Sequence, residues 1–320
     1  MRTTHTLLCA AFAVYASLAH AQSYPTRSIR VIVPYAAGGN TDFTARSVGQ
    51  KLTEIFGQQV VVDNRPGGAT NIGTLLVAQA VPDGYTLLMG GASNAINMSL
   101  FAKPPYDTLR DFAMVSLCVQ GANVLVVHPT LPVRNVKELI ALAKAKPGQL
   151  NFSSSGIGSS NQMAGELFKV MAGINIVHVP YKGNAPAITD TISGQVEMNF
   201  SGVPALVPHI KSGRLRGIAI GSLKRFPALP DVPTFDESGL KGYEATTWFG
   251  LMAPAKTPRD IVTRVSAETD KVLKSAEIRQ RFMAEGLEPI GGTPESFTTF
   301  VRNEISKYAR VVKAAGIKQQ

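Results

Sequence analysis

Between Ile29 and Ile220 the chain alternates short apolar strands with helices that carry one apolar face, and this rhythm narrows the available folds more than any other feature. Ile29-Arg30-Val31-Ile32-Val33-Pro34 is a β-branched run that ends at Ala36-Ala37-Gly38-Gly39. Thr41 or Asp42 can cap the helix that follows, where Ala45, Val48, Leu52, Ile55 and Phe56 share a face until Gly57 stops it. Val60-Val61-Val62 is the next strand, and a helix over 70–80 and a strand over 86–89 follow. A second stretch places strands over 124–127, 150–154, 174–179, 196–200 and 215–221. Its helices run from the Asn135 cap to Pro147-Gly148, then over 159–172, 185–193 and 204–212. Helices over 259–274, 276–285 and 294–315 close the chain. Such alternation through short connections predicts an α/β fold of parallel sheets covered by helices on both faces.

Residues 1–21 stand outside this pattern. Arg2 opens them, Leu7 to Leu18 is an apolar run, and Ala19-His20-Ala21 supplies the small residues a signal peptidase requires. The run is shorter than the roughly 20 apolar residues that cross a bilayer. Export to the periplasm is expected, with cleavage near Ala21 and a soluble chain starting near Gln22. The sequence around Cys9 lacks a lipobox, so no lipid anchor is expected. That leaves Cys118 alone, and stability has to come from a large core rather than a disulfide.

The net charge of +10 raises the question of nucleic acid. Lys137, Lys144, Lys146, Lys211, Arg214 and Arg216 are scattered over helix ends and turns without interleaved aromatics, so no nucleic-acid partner is expected. Long-range attraction of small anions remains open to such a charge.

Two loops can carry recognition. Tyr35-Ala36-Ala37-Gly38-Gly39-Asn40-Thr41-Asp42 joins a strand to a helix start, where glycines bring backbone N–H groups close and the helix dipole favours an anion. It lacks the Gly-Lys-Ser/Thr of a P-loop. Ser153-Ser154-Ser155-Gly156-Ile157-Gly158-Ser159-Ser160 makes the same junction in the second stretch, with several hydroxyls. It lacks the third glycine of a dinucleotide fingerprint and the spacing of a nucleophile elbow. Neutral donors at a helix start suit a carboxylate. Val33-Pro34-Tyr35 and Val179-Pro180-Tyr181 echo one another at strand ends, and two strand-end loops facing each other would form a cleft.

Catalysis finds little to stand on. His128, His178 and His209 are separate from one another, and none has a metal-ligand partner at helical spacing. His178, in an apolar strand, reads as a hydrogen-bonded core or edge residue. No catalytic residue, metal or cofactor is assigned. The competing class is a secreted hydrolase acting on an ester or amide of a small carboxylic acid.

Several motifs then resemble one family in order along the chain. Ile32-Val33-Pro34-Tyr35-Ala36-Ala37-Gly38-Gly39, Val62-Asp63-Asn64-Arg65-Pro66-Gly67, Pro82-Asp83-Gly84-Tyr85-Thr86-Leu87-Leu88 and Tyr106-Asp107 are similar to the tripartite tricarboxylate transporter receptors, or Bug family. So are His178-Val179-Pro180-Tyr181-Lys182-Gly183, Leu229-Pro230-Asp231-Val232-Pro233-Thr234 and Trp248-Phe249-Gly250-Leu251. The resemblance implies a fold like type II periplasmic binding proteins: two α/β lobes with a ligand cleft between them, joined by strands crossing near 120–125 and 246–254. Lobe one would hold residues 22–122 and 250–320, and lobe two residues 123–249. It further implies a monomeric receptor that takes a small carboxylate and passes it to one large and one small integral membrane subunit, without cofactor or chemistry.

The ligand contacts so implied are Tyr35, Ala37, Gly38, Gly39, Asn40, Thr41 and Asp42 from the first loop, and Ser154, Ser155, Gly156, Ser159 and Ser160 from the second. Ser93, Asn94, Tyr181 and Ser201 complete the set. Gln162 and Asn94 stand where the family commonly has histidine, and Ser201 where aspartate is frequent. A buried ammonium requires a carboxylate partner, so a di-, tri- or aromatic carboxylate without an α-amine is expected. Tyr35, Tyr181 or Trp248 would pack on its apolar body, and Asn94, Gln162 and Ser201 would meet its distal polar group.

Overall fold

Period-two alternation sets the strand faces. In β1 (Ile29–Val33), Ile29, Val31 and Val33 enter one core while Ile32 enters another on the opposite face. The computed structural model describes residues 24–319, so the expected leader and the start near Gln22 lie outside the described residues. β1 pairs in parallel with β2 (Val60–Asn64) and β3 (Thr86–Gly91), as the alternation predicts. β9 (Thr246–Pro254) then pairs antiparallel with β3, and β4 (Phe112–Val127) antiparallel with β9. The sheet is therefore mixed, a correction to the all-parallel expectation, because the strands that cross between its halves reverse direction.

β4 belongs to both halves. Its N-terminal part pairs with β9 and with β10 (Leu287–Pro289), a strand the alternation gave no sign of. Its C-terminal part pairs antiparallel with β7 (Met198–Gly202) and β8 (Arg216–Ile220). β5 (Asn151–Ser154) lies parallel to β7 and to β6 (Val177–Pro180).

Helices cover each half. On the first, α1 (Asn40–Phe56), α2 (Asn71–Ala78) and α3 (Ala92–Leu100) each follow a strand. The second carries α4 (Val136–Ala145), α5 (Ser160–Ala172), α6 (Asn184–Ile192) and α7 (Val203–Lys211). α8 (Arg259–Lys274), α9 (Ala276–Ala284) and α10 (Pro294–Ala314) return to the first half, where Val265, Leu273, Phe282, Phe297 and Val301 join its two cores. α10 also touches α5, so it braces both halves. Phe168 of α5 packs with Phe152, Phe200 and Phe235 in the second half, and Val124, Leu206 and Ile220 form its opposite core. No helix among the described residues is long and apolar enough to cross a membrane.

α3 was not anticipated from the sequence. Its apolar residues Ala95, Ile96 and Leu100 lie among Ser93, Asn94, Asn97 and Ser99, which hides the helical period.

Candidate ligand-binding site

α1 starts earlier than its hydroxyl and carboxyl residues suggest. Gly39 is the N-cap, in extended backbone, and no side chain caps the helix. Thr41 and Asp42 are buried in its first turn instead of capping it. The Gly38 N–H donates to Asp42 Oδ2 at 3.0 Å, and Arg46 Nε donates to the same oxygen at 3.0 Å. Burial opposes the charge on Asp42, yet Arg46, the Gly38 N–H and Asn64 outweigh it and hold the carboxyl below its ordinary range. Asp42 is thus an ionised brace for its own loop. Ala37, Gly38 and Gly39 are exposed, and Asn40 is half-buried at the head of the helix.

The second loop is braced from within. Ser159 caps α5, its Oγ accepting from the Gln162 N–H at 3.1 Å and donating to the Gly156 carbonyl at 2.6 Å. Gln162 Oε1 accepts from the Gly158 N–H at 2.8 Å, so Gln162 holds the loop. Gly156 has φ +130°, and a Cβ there would come within 2.8 Å of the Tyr181 carbonyl, so only glycine fits. Ser154 Oγ lies 2.6 Å from His178 Nε2 and accepts from the Gly156 N–H at 3.1 Å. Ser155 is half-buried, and its carbonyl takes the Gly183 N–H.

The second loop meets the first half at α3. Ser93 Oγ, at the start of α3, donates to the Gly158 carbonyl at 3.2 Å. Burial pushes the Tyr35 hydroxyl up to about 12, against the opposing influence of nearby Ser93. Asn161 Nδ2, beside Ser160, donates to the Phe200 carbonyl at 2.8 Å and reaches Asn184 Oδ1 and Ser201 Oγ at 3.0 and 3.3 Å. These amides form a neutral floor around Ser201, which is fully buried. Asn161 and Asn184 were missed as site residues; lone asparagines at helix starts read as ordinary caps, and only the fold brings them together.

Three expectations are redirected. Asn94 is buried, accepts from the Gly91 N–H, and donates to Thr74 and Tyr106, so its amide is consumed inside the first half. Trp248 has no exposed surface and donates to Glu304 at 3.0 Å from within the core under α10. Tyr181 donates to Asp190 at 2.7 Å; burial first, and Asp190 second, push its hydroxyl up to about 12. Of the three rings expected to face cargo, Tyr35 is the one whose hydroxyl lies beside Gly91 at the start of α3.

The sequence model described as the tripartite tricarboxylate transporter family receptor matches residues 44–317. BugT of Bordetella pertussis (strain Tohama I) is 38% identical over 300 residues, covering 93% of this chain and 92% of that protein. The structure of R. palustris Rpa4515 with adipate superposes with a TM-score of 0.85 at 36% identity, covering 93% of this chain and 100% of that one. MatC (Rpa3494) from Rhodopseudomonas palustris, with bound malate, gives a TM-score of 0.81 at 29% identity over 90% of this chain and 100% of its own.

Proposed function

This chain belongs to the tripartite tricarboxylate transporter receptor family, and from that membership we propose that it captures a small non-amino organic carboxylate between two lobes and delivers it to a tripartite membrane transporter. Two relatives of the same fold hold adipate and malate, both dicarboxylates without an amine. The observation that supports the reading is that two strand-to-helix loops, headed by Gly39 and Ser159, lie one in each half, with Ser93 Oγ of the first half bonded to the Gly158 carbonyl of the second loop. Helix starts attract anions. Asp42 is bonded by Arg46 and Asp190 by Tyr181, which withholds both carboxylates from an ammonium.

We further assign residues 22–122 and 250–320 to one lobe and 123–249 to the other, a division supported by the partner change within β4. The small and large integral subunits are the proposed partners, and the periplasm the proposed location, after cleavage near Ala21. The hydrolase alternative gains nothing from the Ser154–His178 contact, because Ser154 is buried and braces Gly156. The family itself is one of solute-binding receptors.

A thermal-shift screen over di-, tri- and aromatic carboxylates tests the proposal, run after co-purified ligand is removed. A ligand at a hundredfold excess over its Kd stabilises the folded state by about 2.7 kcal/mol. Gly39→Val should abolish that shift at a cost of about 1 kcal/mol to the unliganded protein, the ordinary penalty for valine at a helix N-cap. Gly39 has φ −87°, and a Cβ there meets nothing nearer than 3.9 Å. A full shift retained in the variant would place the ligand elsewhere, and no shift with any acid would end the reading.

A further inference from the structure

β4 changes partners at a single step. Its register with β9 ends at Ala122 opposite Thr246, and its register with β7 begins at Asn123 opposite Gly202. Asn123 is 2% exposed, and neither its Nδ2 nor its Oδ1 finds a hydrogen-bond partner among the described residues. Buried carboxamides are nearly always bonded, so one with both ends open marks a place where something else supplies the bonds.

Strand geometry shows which way it faces. Ala122 and Val124 enter the core beneath α7, whereas Leu125 enters the core beneath α5 with Phe200 opposite. Asn123 therefore stands on the α5 face, level with Gly202. Directly opposed residues hold their Cβ atoms about 4.5–5.5 Å apart, but Gly202 has none. The point where one would sit lies 3.8 Å from Asn40 Nδ2, at the head of α1. At the same end of β7, Asn161 at the start of α5 donates to the Phe200 carbonyl two residues before Gly202. The open amide is thus placed between the first loop and the start of α5, the groups assigned to the ligand carboxylate.

We propose that Asn123 is a specificity-determining residue for 2-hydroxy acids. This rests on the carboxylate-receptor reading above and deepens it. A carboxamide edge presents one acceptor beside one donor. A plain carboxylate only accepts, so it answers Nδ2 and leaves Oδ1 bare. In a 2-hydroxy acid the O–H donates to Oδ1 while the adjacent carboxylate oxygen accepts from Nδ2, giving two parallel bonds. Leaving a buried acceptor bare is the more costly outcome, which turns the extra hydroxyl into selectivity.

Calorimetry on the purified, ligand-stripped protein with two matched pairs, malate against succinate and 2-hydroxyglutarate against glutarate, decides it. Each hydroxy acid should bind about tenfold more tightly than its deoxy partner. Asn123→Leu should bring each pair to within about twofold, the hydroxy acids losing more affinity than the deoxy acids because they lose two bonds rather than one, and the unliganded variant should melt higher because the open amide is gone. Asn123→Ala gives the same comparison should the leucine variant fail to fold. Equal affinities in the unaltered protein, or a hydroxyl preference that survives both substitutions, overturn the inference. If other carboxylates then still raise the melting temperature, the receptor reading stands without it; if none does, both fall.

Discussion

His178 is kept neutral far into acid. Burial, with Lys169 adding to it, pushes its pKa down to about 4 from the ordinary imidazole value of 6.5, and its Nε2 is tied to Ser154 within the second loop. Between pH 6.5 and 4 the unfolded chain gains a proton that the folded chain refuses. The stability due to neutral His178 is therefore complete above pH 6.5 and lost as the pH falls toward 4, by about 2 kcal/mol after allowance for partial exposure. Melting curves of the unliganded protein across that range should show the decline, and His178→Gln should flatten it. An unchanged slope in the variant would mean that another group titrates. The sequence already marks His178 as a bonded strand residue, since an imidazole inside Ile176-Val177-His178-Val179 has little else to do. Asn94 and Trp248 were less legible. A polar residue beside a helix start and a ring near a crossing strand look alike whether they face a cleft or a core, and the packing of Tyr106 and Glu304 against them decides.

Helix starts divide by what caps them. α1, α3, α6 and α7 begin at the glycines Gly39, Gly91, Gly183 and Gly202, following β1, β3, β6 and β7. α4, α9 and α10, which do not supply the candidate loops, carry side-chain caps from Asn135, Ser275 and Thr293. A glycine cap leaves first-turn N–H groups to an outside acceptor, whereas a capping side chain consumes one. α5 departs from this division, because Ser159 is both its cap and a brace of its loop. Ser159→Ala should cost about 1 kcal/mol of stability and also weaken carboxylate binding severalfold. Asn135→Ala, which removes the bond to the Glu138 N–H, should cost a similar amount and leave affinity unchanged. Equal effects of both variants on binding would show that Ser159 acts through stability alone. Most strands and helices were readable because β-branched runs and single apolar faces report their own period, and Asn135 was recognisable as a cap from its local sequence. β10 was not: its three residues Leu287, Glu288 and Pro289 exist as a strand only because β4 offers them an edge.

At the scale of the molecule, the net charge of +10 acts on any anion before contact. Field lines from a positive protein raise the encounter rate of negative solutes, and salt removes the effect. The screening length falls from about 30 Å at 0.01 M salt to about 8 Å at 0.15 M, shorter than a two-half fold of this size. Contacts buried between the two halves are shielded from that change, as the bond from Ser93 to Gly158 is. Association should therefore carry the salt dependence and dissociation little of it. In stopped-flow measurements with succinate, the second-order rate constant should fall severalfold over this range while the off-rate stays nearly constant. A monocarboxylate of similar size should show the smaller decline that its single charge dictates. If both ligands associate at rates indifferent to salt, the scattered lysines and arginines serve only solubility, and capture depends on the loops alone. If the off-rate carries the change instead, the ligand is bound at an exposed surface rather than between the two halves.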